Sequence, residues 1–179
     1  VRARLFGFYF NAGESILGSL FNDVFAGVQL QRFSNSTDPA AVFHILAFVG
    51  LCLDESCLSS SSLGSQDLGT VRLNTAAAVE VRWEPTNNRF VFQRDSNTPV
   101  NLPYTVSDSI PASFPAKRLE VSNIVQRCTG TPRPVAFMAA DFDDIMIASS
   151  NAVLAPQRTA LQINMEEEPI VDELIGPAN

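Results

Sequence analysis

Residues 67–94 have the sequence DLGTVRLNTAAAVEVRWEPTNNRFVFQR, and this stretch decides the fold class. Within it, residues 79–83 alternate apolar and charged side chains, the period of two that is typical of a half-buried strand. Proline and asparagine at residues 85–88 predict a turn, because these residue types fix or tolerate turn dihedrals. The chain continues as RFVFQR over residues 89–94. We therefore predict three short strands in succession, the last two joined as a hairpin.

Aromatic residues on both sides of this turn, Trp83 with Phe90 and Phe92, are expected to pin the hairpin across the strands. Strand patterns also occupy residues 2–10, 22–33, 41–52, 119–127 and 135–148. Two segments interrupt them: a serine-rich stretch expected to be a flexible connection, and a stretch with four prolines expected to be mostly loop. These are residues 58–65 and 97–117. With eight or nine strands and no helix predicted in the first 150 residues, the fold class is all-β, an antiparallel β-sandwich.

The length of 179 residues suits one domain with a sizeable core. We assign residues 1–150 to the sandwich and residues 151–179 to a C-terminal extension, because the composition shifts after residue 148. In this extension, residues 160–165 could pair as an edge strand, and the acidic residues that follow could form a tail. The extension would wrap the domain or reach a neighbouring subunit, making a homo-oligomer, whereas a disordered tail is the alternative.

Bulk composition bears on location and partners. A net charge of −7 argues against nucleic acid, because no basic patch is present to displace counterions from phosphates. The longest apolar run, residues 40–53, is too short for a membrane span. A charged fraction of 17% is low for a cytosolic protein and fits a β-rich secreted domain. We therefore expect a secreted, periplasmic or cell-surface protein, with any targeting signal upstream of Val1.

Three cysteines, Cys52, Cys57 and Cys128, allow three pairings that sequence alone does not distinguish. We favour a Cys52–Cys57 disulfide across a tight hairpin, with Cys57–Cys128 as the second choice. Three reduced cysteines acting as small apolar residues are the remaining alternative. A zinc site is disfavoured, because the chain has one histidine and no second cysteine pair.

The order of strand motifs resembles the concanavalin A-like lectin and glucanase superfamily, in particular laminin-G-like and laminarinase-type jelly rolls. The resemblance covers about residues 1–150 and rests on loose strand signatures. These are Leu68-Gly69-Thr70-Val71, Val79-x-Val81-x-Trp83-Glu84, Asn88-x-Phe90-x-Phe92, Leu119-x-Val121-x-Asn123 and Ala140-x-Phe142-Asp143-Asp144-Ile145-x-Ile147. It implies two large antiparallel sheets, with sugars, where bound, lying across the concave face.

The resemblance also implies that an Asp near residue 143 helps to hold a structural calcium ion. Asp141 and Asp143 share one strand parity and are the candidate calcium ligands. Calcium, however, requires several hard oxygen ligands together, and a single pair of carboxylates does not make such a site. The alternative is a hydrogen-bonded strand-start Asp with no metal.

The sequence favours a binding module over an enzyme. Retaining glucanases of the superfamily carry E-x-D-x-x-E, which this chain lacks. Glu80 and Glu84 share a strand face with Arg82 between them, a pattern typical of local charge pairing on a solvated face. His44, the chain's only imidazole, is expected to be a hydrogen-bonded core residue rather than a ligand or a base. A hydrolase or lyase with non-standard residues remains an alternative.

Our first hypothesis is a non-catalytic, lectin-like module of a secreted or cell-surface protein that binds glycan or polysaccharide. Sugar recognition uses aromatic platforms and planar polar groups. Candidate contributors are Tyr9, Asn101, Tyr104 and Arg133. A second hypothesis is a structural or adhesive domain that contacts proteins and has no small ligand. The sequon Asn35-Ser36-Thr37 lies in a polar segment, which is either a glycosylation site or an ordinary loop.

Overall fold

The computed structural model describes residues 1–124, 138–147 and 161–162 of the chain. Within this part, the fold is all-β and antiparallel, with a single short 3-10 turn at Pro85–Asn87. The strands are β1 (Arg2–Asn11), β2 (Asp23–Gln31), β3 (Val42–Cys52), β4 (Ser60–Arg72), β5 (Val79–Glu84), β6 (Arg89–Arg94), β7 (Val100–Pro103), β8 (Ile110–Pro111), β9 (Lys117–Ser122), β10 (Asp141–Phe142) and β11 (Leu161–Gln162). No helix in the described ranges has the length and apolar character needed to cross a membrane.

Six strands form the larger sheet, in the order β4-β3-β2-β1, and the outer side of β1 pairs with both β8 and β9. Three strands form the smaller sheet, in the order β5-β6-β7. The predicted hairpin is confirmed: Trp83 lies directly opposite Phe90, and the turn falls at Pro85–Asn87. Asn88 follows with a left-handed φ of 46°, a conformation that asparagine tolerates better than most residues.

One prediction about a neighbouring segment was wrong. The serine-rich residues 58–65 were expected to be a flexible connection, yet β4 begins at Ser60 and runs for 13 residues. Residues 67–72, which were predicted as a strand, form the second half of this strand at the edge of the larger sheet. Serine carries little apolar signal, so the strand is set by its pairing with the strongly apolar β3.

The predictions for the segments after the hairpin were only partly correct. Strand β9 ends at Ser122, earlier than the predicted residue 127. Of the predicted closing strand at 135–148, only residues 138–147 are described, and among these only Asp141–Phe142 is a strand. Its partner is β11, which lies inside the edge strand predicted at residues 160–165. The proline-rich segment is mostly loop, as predicted, with two short strands, β7 and β8.

The smaller sheet packs against one face of the larger sheet through an aromatic core. A register shift between Phe8 and Phe10 allows both Tyr9 and Phe10 to contact the smaller sheet. The Phe10 ring stacks on Trp83 with centroids 5.4 Å apart, and the Tyr9 ring meets Phe90 edge-on at 4.9 Å. These contacts fix the two sheets relative to each other and leave the opposite face of the larger sheet free of the smaller one.

The Cys52–Cys57 disulfide is confirmed, and it closes the turn between β3 and β4. Asp54 holds the same turn from inside, because its carboxylate accepts the backbone N–H groups of Ser56, Leu58 and Ser59. These hydrogen bonds lower the pKa of Asp54 against the opposing effect of desolvation. The disulfide and the carboxylate together fix the start of β4.

Candidate functional site

Strand β3 has apolar residues on both of its faces, and the structure separates them. Phe43, Ile45 and Ala47 are fully buried in the core between the sheets. Because side chains alternate along a strand, His44 and Leu46 lie on the opposite face of the larger sheet. Their neighbours across the sheet are polar: Gln31 lies opposite His44, and Asp67 lies opposite Leu46. This outer face therefore carries a polar region beside β3.

The connection between β2 and β3 folds over this region. The Arg32 guanidinium organises it by donating hydrogen bonds to the backbone carbonyls of Asp38, Pro39 and Val42, at 2.8, 2.9 and 2.9 Å. The Ser36 hydroxyl donates to the Asp38 carboxylate at 2.7 Å. A charged side chain that satisfies three carbonyls gives this polar loop a defined shape without an apolar core of its own.

A cavity of about 360 Å³ lies between this loop and the outer face of the sheet, and we name it the loop pocket. It is lined by Gln31, Phe33, Asn35, Ser36, Thr37, His44, Leu46 and Asp67. Phe33 is 63% exposed at this pocket, although a phenylalanine side chain is usually buried. The loop pocket thus joins an exposed aromatic ring to amide, hydroxyl, carboxylate and imidazole groups.

His44 lies at the pocket between two carboxylates. Its Nδ1 is 2.7 Å from Asp67 Oδ2, and its Nε2 is 3.0 Å from Asp38 Oδ2. The hydrogen bond to Asp67, followed by the one to Asp38, raises the pKa of His44. The pKa of Asp38 is lowered, first by the Ser36 hydroxyl and then by His44. The imidazolium therefore links the loop, through Asp38, to the edge strand β4, through Asp67.

This arrangement restricts the chemistry of His44. Both ring nitrogens are engaged by carboxylates, so neither is directed at a hydroxyl group that it could activate. Ser36, which carries a hydroxyl group in the same pocket, donates its hydrogen bond to Asp38 instead. The interpretation of His44 as hydrogen-bonded is confirmed, but its position in the core was wrong, because the side chain is 36% exposed on the outer face.

The structure places Tyr9 and Tyr104 between the two sheets. Tyr104 is 5% exposed; its hydroxyl accepts a hydrogen bond from Trp83 Nε1 at 2.8 Å and donates one to Asp108. Burial raises the pKa of each tyrosine to about 12. Both rings therefore contribute to the core, and neither is an open platform for a ligand.

The other two candidate ligand-binding residues are not brought to these tyrosines. Asn101 is exposed on β7, where it pairs with Val91 on the side of the smaller sheet that faces away from the core. Arg133 lies outside the described residues. Among the described residues, Asn101 therefore lies apart from the two tyrosines, and ligand binding by these residues and by Arg133 stays a prediction.

The candidate calcium ligands, Asp141 and Asp143, are both exposed near β10. In residues 1–124, 138–147 and 161–162, no cluster of three or more His, Cys, Asp or Glu side chains is arranged to hold a metal ion. Calcium binding by this pair stays a prediction, and any further ligands would have to be other oxygen atoms.

The acidic pair on β5 does form local charge pairs, as predicted. Arg82 contacts Glu80 at 2.9 Å and Glu84 at 3.1 Å. Glu84 also accepts hydrogen bonds from Asn87 at 3.0 Å and from Arg89 at 2.7 Å. The hydrogen bonds from Asn87, Arg89 and Arg82 lower the pKa of Glu84 to about 2. A carboxylate held ionised in this way stabilises the hairpin and is poorly suited to act as a general acid.

Sequence reasoning missed the loop pocket, although two signals for it were present. The first was Phe33 beside a polar loop, an apolar residue with no periodic partner. The second was His44 within an apolar strand, whose parity opposes that of the three largest core side chains of β3. Comparison of the chain with protein-family models, with curated proteins and with solved structures found no match. The geometry of the loop pocket therefore carries the functional argument.

Proposed function

We propose that this protein is a non-catalytic carbohydrate-binding module whose ligand occupies the loop pocket. The observation that carries the proposal is the exposed ring of Phe33 beside the planar polar groups of Gln31, Asn35 and Asp67. An aromatic ring covers the C–H face of a sugar, while planar amides and carboxylates bind its hydroxyl groups. A volume of about 360 Å³ is adequate for one or two sugar rings.

The arrangement of the sheets supports this proposal. The loop pocket lies on the face of the larger sheet that is not covered by the smaller sheet. A concanavalin A-like sandwich, the architecture that the strand motifs resemble, would present its ligand on a face of this kind. The Cys52–Cys57 disulfide is compatible with an oxidising compartment, and hence with a secreted, periplasmic or cell-surface location.

A structural or adhesive domain is the second candidate, and one observation favours it. Leu119 and Val121 on β9 are 43% and 41% exposed, although their side chains are apolar. Ile147, in the segment after β10, is 69% exposed. Apolar side chains of this kind would suit contact with another protein or with a second copy of the chain, including contact through the C-terminal extension.

A glycan array distinguishes these candidates. The protein would be produced in a host without N-glycosylation, because the sequon Asn35-Ser36-Thr37 lines the pocket. We expect specific binding that is lost in Phe33→Ala and retained in Phe114→Ala, which removes a ring that is 52% exposed and lies outside the pocket. An array repeated with calcium and with chelator tests whether Asp141 and Asp143 contribute a metal-dependent step.

Two outcomes would overturn the proposal. One is a folded protein that binds no glycan with or without calcium, which would favour the adhesive domain and direct the search to a protein partner. The other is glycan binding that Phe114→Ala abolishes and Phe33→Ala does not, since the ligand would then lie away from the loop pocket.

A further inference from the structure

Two arginines of β1 lie beside the loop pocket on the same face of the larger sheet. Arg2 and Arg4 flank Ala3, which is buried in the core between the sheets, so both of their side chains lie on the outer face. In the register of the sheet, Arg2 lies opposite Gln31, which lines the loop pocket, and Gln31 lies opposite His44. Two strand spacings, about 10 Å, therefore separate the backbone of Arg2 from that of His44 in the pocket.

Gln29 connects the second arginine to the same region. It lies opposite Arg4 on one side and opposite Leu46, which also lines the pocket, on the other. Its side-chain amide donates a hydrogen bond to Gln31 Oε1 at 2.7 Å, and both glutamines are partly exposed. A polar surface therefore runs from the loop pocket across β2 to the arginines of β1, with amide groups that can bind sugar hydroxyls.

Arg2 and Arg4, which we name the arginine pair, carry more positive charge than their described contacts neutralise. One carboxylate, Glu120, serves both of them: it lies 2.7 Å from Arg4 Nη2 and 3.5 Å from Arg2 Nη2. The Nε atom of Arg2 donates to the neutral hydroxyl group of Ser122 at 2.9 Å. The arginine pair and Glu120 therefore sum to one net positive charge, in a chain whose net charge is −7.

The arginine pair also has hydrogen-bond donors to spare. Each guanidinium carries five N–H donors, and neither Nη1 atom has a partner among the described residues. Arg4 Nε is buried and likewise has no hydrogen-bond partner in the described part of the chain. The Arg4 guanidinium lies 4.3 Å from the centre of the Phe6 ring, a contact that orients it. A guanidinium that is oriented in advance and only partly used suits a carboxylate or a sulfate.

We infer that the ligand of the loop pocket is an acidic oligosaccharide, whose carboxylate or sulfate group binds the arginine pair while a neighbouring sugar ring occupies the pocket. This inference rests on the proposed function and names the ligand class of the same site. The side chains of Arg2 and Arg4 remain 26% and 18% exposed, so an anion can reach them from the outer face.

The carboxylate that lines the pocket lies too far away to oppose such a ligand. Asp67 is opposite Leu46, and Gln29 separates Leu46 from Arg4, so three strand spacings, about 14 Å, lie between Asp67 and Arg4. The Debye length at physiological salt is about 8 Å, so repulsion across this distance is largely screened. The arginine pair therefore dominates the electrostatic environment of an anion bound at β1.

The test uses pairs of oligosaccharides that differ only in charge. Suitable pairs are oligogalacturonate with and without methyl esterification, xylan fragments with and without a glucuronic acid branch, and galactan fragments with and without sulfate. Affinities for the full chain would be measured by calorimetry. We expect the acidic member to bind about fivefold or more tightly, the effect of one opposite charge at about 4 Å in water. Raising the salt concentration to about 0.5 M should narrow the difference by screening it.

Two substitutions should move the acidic-to-neutral affinity ratio in opposite directions. Arg2→Gln removes one positive charge and leaves Arg4 paired with Glu120, so the ratio should fall to about twofold or less. Glu120→Gln removes the competing carboxylate, so the ratio should rise by about fivefold. Arg82→Gln, the same charge change on the smaller sheet, is the matched control and should leave the ratio unchanged. If Arg2→Gln does not fold, Glu120→Gln still tests the inference, because a damaged fold does not raise the ratio.

The outcomes separate this inference from the proposed function. Acidic members that bind no more tightly than their neutral partners, or a ratio that Glu120→Gln does not raise, would overturn the inference and leave the carbohydrate-binding module intact. Acidic binding that is unchanged in Phe33→Ala would also overturn it, because the arginine pair would then bind anions without the loop pocket. Binding to no member of any pair, together with an empty glycan array, would overturn the proposed function and the inference with it.

Discussion

His44 shows how one side chain can join a loop to a sheet. Its ring nitrogens bind Asp67 of β4 and Asp38 of the loop, which raises the pKa of the imidazole above 6.5. A group whose pKa is raised on folding contributes stability that is fully present below the unfolded pKa and is lost as the pH rises through the folded value. The connection between loop and sheet is therefore strongest in mildly acidic solution.

The titration of this residue can be followed directly, because it is the chain's only histidine. We expect the Hε1 proton resonance to titrate with a midpoint above 6.5, and Asp67→Asn to lower that midpoint by removing the stronger partner. Glu80→Gln should leave the midpoint unchanged. A wild-type midpoint at or below 6.5 would mean that the two carboxylates do not hold the ring in solution.

The residue type alone did not indicate on which face of the sheet His44 lies or which groups it contacts. An isolated histidine in an apolar strand is usually hydrogen-bonded, and that part of the prediction was correct. Its partners are separated from it by six and 23 residues along the chain, and they meet it only because the loop folds back and β4 pairs with β3. The burial of Tyr104 could not be predicted for a similar reason, since it depends on the packing of two sheets rather than on its neighbours in sequence.

At the level of elements, the β5–β6 hairpin was predictable because its information is local. Alternation over residues 79–83, the Pro-Asn turn and the aromatic return strand all point to the same structure. The first half of strand β4 was not predictable in this way. Residues 60–66 lack a clear apolar period, and this part of the strand exists because β3 offers a long apolar partner whose edge would otherwise be unpaired.

Glu84 is the polar centre of this hairpin, and we expect Glu84→Gln to lower the denaturation midpoint. The substitution weakens hydrogen bonds from Arg82, Asn87 and Arg89. Because folding depresses the pKa of Glu84 from 4.5 to about 2, its contribution is present above pH 4.5 and is lost as the pH falls through about 2. Urea denaturation of both proteins between pH 7 and pH 2 measures this difference.

Glu80→Gln is the matched control, because Glu80 has one described charge partner, Arg82, and both side chains are about half exposed. Its effect should be small, as is usual for an exposed ion pair. The interpretation of the hairpin would fail if Glu80→Gln were as destabilising as Glu84→Gln at pH 7, or if the effect of Glu84→Gln did not diminish in acid.

Across the whole molecule, phenylalanine is buried between the two sheets and exposed at the loop pocket. Phe10, Phe90 and Phe92 are fully buried where the sheets meet, whereas Phe33 stands at the loop pocket with 63% of its surface exposed. The chain contains 13 phenylalanines, and their number does not indicate which of them remain outside the core. That division depends on which face of the larger sheet the smaller one covers, a long-range property that strand periodicity does not contain.

This division predicts that the same Phe→Ala substitution has a large effect on stability at one position and a small effect at another. Phe90→Ala removes a buried ring that contacts Tyr9, Phe10 and Tyr104, and we expect it to cost about 3–5 kcal/mol of unfolding free energy. Phe33→Ala should change stability by less than about 0.5 kcal/mol, because the ring has little packing to lose. Chemical denaturation gives both values, and a large loss in Phe33→Ala would identify this ring as part of the fold and withdraw it as a ligand platform. If Phe33→Ala leaves stability unchanged and abolishes glycan binding, the ring serves the pocket and not the core. An apolar side chain that stays exposed to water contributes nothing to folding through burial.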